Sequence, residues 1–242
     1  MNPTFFQIVL KIRLKFSNIW LVNKFSFFRY FALNSIDIEI EQILNYENGY
    51  FIEIGANNGI NQSNTLYFEK FKGWHGVLIE PHPKLFYQLQ KNRSRESTCI
   101  NAACISFSFK NDSIKMMYSD LMTTSLEEFN VLPNSIEHAH LGSKFLLGQP
   151  SEFTAEAKTM QQILTEANAP KRIDLFSLDV EGSEFEILDG IDHEIFRFNL
   201  ICVETSDIPR MTAFLTKQNY ELIKQATHHD LFFRDRSFLI PS

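Results

Sequence analysis

Cysteine is scarce in this chain: Cys99, Cys104 and Cys202 are the only three in 242 residues. That is too few, and too scattered, for a disulfide framework or a zinc site. They read as small buried hydrophobes in strands, in a reducing compartment. No uninterrupted apolar run reaches the roughly 20 residues that a membrane-spanning helix needs. The most apolar stretch, near the N-terminus, is broken by Lys11, Arg13, Lys15 and Lys24, which disfavours a transmembrane helix. No small-residue cleavage site follows an apolar core there, so a secretory signal is disfavoured too. Acidic residues are missing from the first 36 positions, which carry five basic ones (Lys11, Arg13, Lys15, Lys24 and Arg29). The remainder holds the other 18 of the 23 basic residues against all 29 acidic ones, a net of −11. Phosphate-backbone binding draws its affinity from many Lys and Arg contacts, so nucleic acid is excluded as a substrate of this acidic body. Internal repeats and low-complexity tracts are lacking as well.

What is present describes a globular α/β chain. Hydrophobic residues make up 44% and charged residues 21%, and the unusual 24 phenylalanines are most simply core filling. The length fits one domain with short additions: an apolar, basic helical extension over residues 1–36, then a main domain over 37–242. Lys11, Lys15 and Arg29 share a face of the extension's helical wheel, but Arg13 and Lys24 lie opposite. Apolar residues occupy nearly the whole circumference, which suits packing on the domain or a partner better than a membrane surface, the alternative. The reading is a cytoplasmic protein, peripheral to a membrane only under that alternative.

From Ile36 onward short apolar runs alternate with helix-period stretches, the pattern of a mostly parallel sheet with helices on both faces. Strands are expected at Tyr50–Ile54, Gly76–Glu80, Thr98–Ala103, Asp174–Asp179 and Leu200–Glu204. Helices are expected at Asn64–Phe71, from Pro83 with Leu85, Phe86 and Leu89 inward, and at Ala157–Ala167, Ser183–Leu188 and Pro209–Gln218. Tyr220–Gln225 and Leu231–Arg234 would close the sheet as a hairpin. Between about 107 and 157 the pattern loosens into a variable insertion punctuated by Pro133, Gly142, Gly148 and Pro150. Five strands and a terminal pair match a Rossmann-like class I methyltransferase fold with seven strands; a plain doubly wound sheet with an added edge would look similar.

In such sheets ligands bind beyond the carboxyl ends of the strands. The turn after the first strand reads Glu53-Ile54-Gly55-Ala56-Asn57-Asn58-Gly59. Gly55 and Gly59 allow backbone conformations and a close ligand approach that a Cβ would obstruct. Glu53 could accept a hydrogen bond from an amino group, which S-adenosylmethionine offers and a dinucleotide pyrophosphate does not. The next strand ends in Glu80-Pro81, where a carboxylate can bind both ribose hydroxyls. Glu80 does not separate S-adenosylmethionine from NAD, but the glycine spacing does: Gly55-x-x-x-Gly59 with Asn57 in the middle departs from G-x-G-x-x-G. Ala102, with Asn101 and Ala103, would leave room for an adenine ring.

A second acidic group lies at Asp179-Val180-Glu181. Charge at the end of a buried apolar strand is costly unless it has a partner or a task. Asp179 and Glu181 are therefore catalytic candidates, against hydrogen-bonded turn carboxylates as the plainer reading. Ser183 and Glu186 fit a helix capping box, with Gly182 permitting the turn before it. Glu204 would lie close by, and three convergent carboxylates could hold Mg²⁺ or a similar hard cation. His228 and His229 read as exposed loop residues.

These residues resemble the FkbM-type methyltransferase family. The likeness runs through FIEIGANNGINQSNTLYFEKFKGWHGVLIEPHPKLFYQLQKNR from Phe51 to Arg93, and LDVEGSEFEILDGI from Leu178 to Ile191. It continues at Val203-Glu204 and at NYELI followed by Asp230-Leu231-Phe232-Phe233, covering about residues 37–235; the basic extension and the stretch Leu126–Ser151 fall outside it. The resemblance implies methyl transfer from S-adenosylmethionine to a hydroxyl of a small molecule, sugar or glycan. A hydroxyl is a weak nucleophile, and Asp179 or Glu181 could take its proton, directly or through a metal-bound oxygen. The competing readings are a catalytically silent binding module on the same fold and an NAD-dependent oxidoreductase.

Overall fold

The computed structural model describes residues 29–119, 122–126 and 150–238. The expected helix of the extension, up to residue 28, lies outside the described residues, as does nearly all of the stretch from Leu126 to Ser151. No helix among the described residues is long and apolar enough to cross a membrane.

Eleven strands and six α-helices are described. In chain order they are α1 (Ile36–Ile43), β1 (Tyr50–Ile54), α2 (Leu66–Phe71), β2 (His75–Ile79), α3 (Pro83–Asn92), β3 (Thr98–Ile100) and β4 (Ala103–Ile105). There follow β5 (Ser113–Tyr118), β6 (Thr124–Ser125), β7 (Ser151–Thr159), α4 (Met160–Glu166), β8 (Arg172–Leu178) and α5 (Glu184–Asp189). The chain closes with β9 (Arg197–Glu204), α6 (Ile208–Lys217), β10 (Tyr220–Gln225) and β11 (Asp230–Asp235). The main sheet has seven strands in the order β10-β11-β9-β8-β1-β2-β3. Only β11 runs against the rest, antiparallel to both β9 and β10. This is the class I methyltransferase arrangement.

Side chains alternate across β1, which explains the two layers of core. Ile52 and Ile54 face a cluster that takes in Ile163 and Leu164 of α4, Leu188 of α5 and Leu215 of α6. Phe51 faces the opposite cluster, with Ile40 of α1, Leu66 and Phe68 of α2, and Leu89 of α3. Phe51, Phe68, Phe176, Phe196, Phe198, Phe232 and Phe233 are fully buried, so the phenylalanine excess fills the core. Leu85 and Leu89 are buried as expected, while Phe86 is only half-buried.

Three expectations are corrected. The strand expected at Thr98–Ala103 is two strands that part at Asn101, whose side-chain amide donates to the carbonyls of Glu80 and Pro81. β3 ends on Ile79, and β4 joins a second sheet of order β4-β7-β5-β6. That sheet is built from part of the loosened stretch. The helix expected from Ala157 starts only at Met160, because Ala157–Thr159 pair with Ala103–Ile105 as strand. The capping box is also elsewhere. Ser183 makes no side-chain cap, whereas Thr159 accepts from the Gln162 N–H and the Gln162 side chain accepts from the Thr159 N–H.

Candidate active site

Chain connections leave β1 toward β2 on one side of the sheet, and β8 and β9 lie on the other. At this reversal the loops diverge and open a crevice beyond the strand ends. A cavity of about 470 Å³ lies there, walled by the ends of β1, β2, β8 and β9 and by the β10–β11 hairpin.

One end of the cavity is made by the turn after β1. Gly55 has φ +78°, and a Cβ on it would sit 2.1 Å from the Asp179 carbonyl oxygen, so only glycine lets β1 and β8 approach so closely. The N–H groups of Gly55 and Ala56 both donate to the Ile79 carbonyl, tying the turn to β2. Asn57 takes a left-handed conformation at φ 48°, and its N–H donates to Glu80 Oε2 at 2.9 Å. Glu80 Oε1 accepts the His82 N–H at 2.8 Å. Glu53, Gly55, Asn57, Glu80, Pro81 and Ala102 all line the cavity. Two other expected cofactor residues do not: Ala56 is buried in the core, and Gly59 packs against Leu89 and Arg93.

Glu53 is more heavily engaged than its position in a strand suggests. Its Oε2 accepts from Ser63 Oγ at 2.9 Å, Thr65 Oγ1 at 2.6 Å and Arg93 Nη1 at 3.1 Å. Its Oε1 accepts only the Asn64 N–H, at 2.9 Å, and so keeps capacity for an ammonium group. Arg93 is fully buried and also pairs with Glu69 at 3.2 Å. Sequence reasoning missed this network. The available signal was Glu53 itself, a carboxylate inside a buried strand, which needs a partner to be tolerated.

The wall formed by the ends of β8 and β9 and by the start of β11 is acidic. Asp179 is open to the cavity interior, yet it is ringed by protein and by carboxylates. Desolvation in this recess, then repulsion from Glu204, Glu181, Asp230 and Glu184, raises its carboxyl well above the ordinary range. Glu181 sits just beyond β8 at φ 53°, and Thr124 of the second sheet donates to its carbonyl at 2.9 Å. Burial, followed by Glu204 and Glu184, pushes its carboxyl up to about 7. Glu184 is likewise raised to about 7, chiefly by burial, although the Gly182 N–H donates to it. Glu204 faces Asp230 across the β9–β11 ladder, and desolvation with the Asp230 charge raises it also.

Asp179, Glu181, Glu204 and Asp230 therefore converge on one cavity. Even so, no group of three or more His, Cys, Asp or Glu side chains among the described residues has the geometry to hold a metal ion. The divalent-cation expectation gains no support from these side chains. His228 and His229 are exposed as expected, but His229 also reaches the cavity rim, where it offsets part of the rise at Glu204. The cysteines all lie in strands, with Cys104 and Cys202 buried and Cys99 half-buried. Cys104 lines the cavity, but burial pushes its thiol far up, so it supplies no thiolate.

Comparison with known proteins follows the same lines. A curated relative, Methyltransferase 1 of Beauveria bassiana (strain ARSEF 2860), is 25% identical over 154 residues, 61% of this chain and 60% of that protein. This chain thus spans less than two thirds of that relative's length. Among solved structures, a methyltransferase FkbM from Methylobacillus flagellatus KT superimposes with a TM-score of 0.46 at 12% identity, over 77% of this chain and 43% of that one. M. capricolum TrmK, solved with S-adenosyl-homocysteine, gives 0.44 at 10% identity, over 84% and 68%. The model of the methyltransferase FkbM domain matches residues 53–238, from the Glu53 strand end through the closing hairpin. The chain belongs to the FkbM methyltransferase domain family.

Proposed function

We propose that this chain is an S-adenosylmethionine-dependent O-methyltransferase whose acceptor is an uncharged hydroxylated small molecule, sugar or glycan. The observation that carries the reading is one cavity lined both by Glu80 with the Gly55 turn and by a carboxyl poised near neutrality, Glu181. Glycine at 55 lets the ends of β1 and β8 close up beside the cavity, and Glu53 and Glu80 are the acceptors that an ammonium and a ribose require. S-adenosylmethionine, when bound, supplies a sulfonium methyl already activated for in-line displacement.

The chain's part is alignment and proton management. Glu80 would hold the ribose hydroxyls and Glu53 Oε1 the ammonium. With the methyl group supplied in this way, the Glu181 carboxylate would take the proton that the acceptor hydroxyl gives up. Asp179, whose carboxyl is raised by desolvation and then by its acidic neighbours, lines the same cavity and would orient the acceptor. Among the described residues that line the cavity there is no Lys or Arg. This favours an uncharged acceptor over a phosphorylated one. In the same reading the extension packs on protein rather than on a membrane surface, as Phe31 and Ile36 at its described end already do.

Isothermal titration tests the cofactor. S-adenosylmethionine and S-adenosylhomocysteine should bind saturably, NAD and NADP should not, and Glu80→Ala should weaken binding by about 1–3 kcal/mol. NAD binding without S-adenosylmethionine binding would overturn the proposal.

A further inference from the structure

The cavity has a wall that precedes the family's matched residues. Leu33, Asn34 and Ile36 line it, although the family domain begins at residue 53. They belong to a short strap, Tyr30–Ile36, pinned at several points. Phe31 and Ile36 are buried in the core, and Asp37, itself inaccessible, accepts the Phe31 N–H at 2.6 Å and the Ala32 N–H at 3.1 Å. Ala32 forms a parallel bridge with Gln62, in the loop that supplies Asn61–Asn64 to the cavity. On the helix that follows, Glu39 pairs with Lys224 of β10, so the strap is anchored to the hairpin that carries Asp230 as well. Through the Ala32–Gln62 bridge the strap borders the loop that bonds Glu53, and through α1 it is tied to the closing hairpin.

Two features of the strap bear on the cavity that it lines. Asn34 and Ser35 are consecutive non-glycine residues in the left-handed region, at φ 52° and 62°. Such strain persists where the surroundings enforce it, and it clusters at ligand sites. Leu33 is a large hydrophobe left 52% exposed on the rim, beside Asn34, which is exposed and also lines the cavity. An apolar surface next to an exposed amide is what the ring of an uncharged polyol offers partners for: C–H faces for the leucine, hydroxyls for the amide.

We infer that Leu33 and Asn34 are acceptor-binding residues, forming the subsite that receives a neutral hydroxylated ring in the cavity that Glu181 also lines. The inference rests on the methyltransferase reading of the cavity.

The test uses the full chain loaded with S-adenosylhomocysteine and saturation-transfer NMR with methyl gluco-, galacto-, manno- and rhamnopyranosides. At least one glycoside should bind, and Leu33→Ala and Asn34→Gly should each weaken it about tenfold, the equivalent of one lost contact or hydrogen bond. Asn34→Gly is the informative variant. Glycine relieves the left-handed strain, so a merely structural residue would give unchanged binding and an equal or higher melting temperature. S-adenosylhomocysteine affinity should not change in either variant. The inference is overturned if no glycoside binds the loaded protein, or if both variants bind as the parent does. Failure of S-adenosylhomocysteine itself to bind would instead remove the underlying reading, and the subsite with it.

Discussion

At the scale of single residues, the two acidic candidates after β8 part company. Asp179 and Glu181 are two positions apart, and nothing in their identities says which accepts a proton. Their surroundings do. Asp179 is driven well above the carboxylate range by burial and four neighbouring carboxyls, whereas Glu181 is raised to about 7. A base must be ionised to act, so kcat/KM should rise with pH through about 7 and level off above it. Glu181→Gln should lower turnover by roughly 10²–10⁴-fold and abolish that limb. Asp179→Asn, nearly isosteric with the aspartyl side chain, should keep the limb. Rates measured with labelled methyl donor from pH 5.5 to 8.5 check this, and a limb lost in Asp179→Asn but kept in Glu181→Gln would reverse the roles. Legibility follows sequence distance. Gly55, Asn57 and Glu80 could be read because a strand end, a turn and the next strand end form a local pattern. Leu33 and Asn34 could not, since they sit before that pattern and reach the cavity only through Ala32, Asp37 and Gln62.

At the scale of elements, the loop between β1 and α2 is held from a distance. Arg93 follows α3, forty residues beyond Glu53, yet it bonds Glu53, Ser63 and Thr65 and pairs with Glu69 of α2. One buried cation thereby fixes β1, the cavity loop and α2 to the end of α3. Replacing it with Met would leave Glu53 and Glu69 buried without their counter-charge, at a cost of about 3–5 kcal/mol. For a domain of this size that corresponds to a melting temperature lower by roughly 10 °C. Calorimetry on Arg93→Met decides it: a drop of less than 2 °C would mean that the knot is dispensable. The elements that periodicity identified were those with an apolar face on the main sheet, such as β1, α3 and α6. Those it misjudged depend on long-range pairing. β7 reads as the start of a helix until Ala103–Ile105 arrive to pair with it, and an S/T-x-x-E/Q pattern at Ser183 is indistinguishable from the one that caps α4 at Thr159. Capping depends on the backbone conformation of the first residue, and Ser183 has φ −106° and ψ 14° rather than the extended geometry of Thr159.

At the scale of the whole molecule, carboxyls with raised pKa outnumber those with lowered ones, and this sets the pH dependence of stability. Asp37 is raised to about 6 by burial, despite four backbone N–H donors, and Glu181 and Glu184 to about 7. Between the ordinary carboxylate range and these values, the folded chain binds protons that the unfolded chain does not. Linkage then requires their contribution to fall as pH rises through that window, from about 4 to about 7, while His193, lowered to about 4 by burial, offsets part of the fall below about 6.5. Glu41 and Asp235 are shifted downward, so their contribution is present at neutral pH and is lost only as pH drops below about 4. The folded protein should accordingly be most stable near pH 5 and less stable at pH 8 by a few kcal/mol, on the order of one raised carboxyl's shift or two. Ligand charge should modify the curve. A sulfonium placed beside Asp179 and Glu181 favours their ionised forms, so S-adenosylmethionine should stabilise more at pH 8 than at pH 5. S-adenosylhomocysteine lacks that charge and should show a weaker pH dependence of stabilisation. Scanning calorimetry at pH 5, 6.5 and 8, alone and with each ligand at saturation, distinguishes these curves. A melting temperature that climbs from pH 5 to pH 8 in the unliganded chain would refute the acidic cluster's raised pKa values, and equal pH dependence for the two ligands would separate the cluster from the transferred methyl.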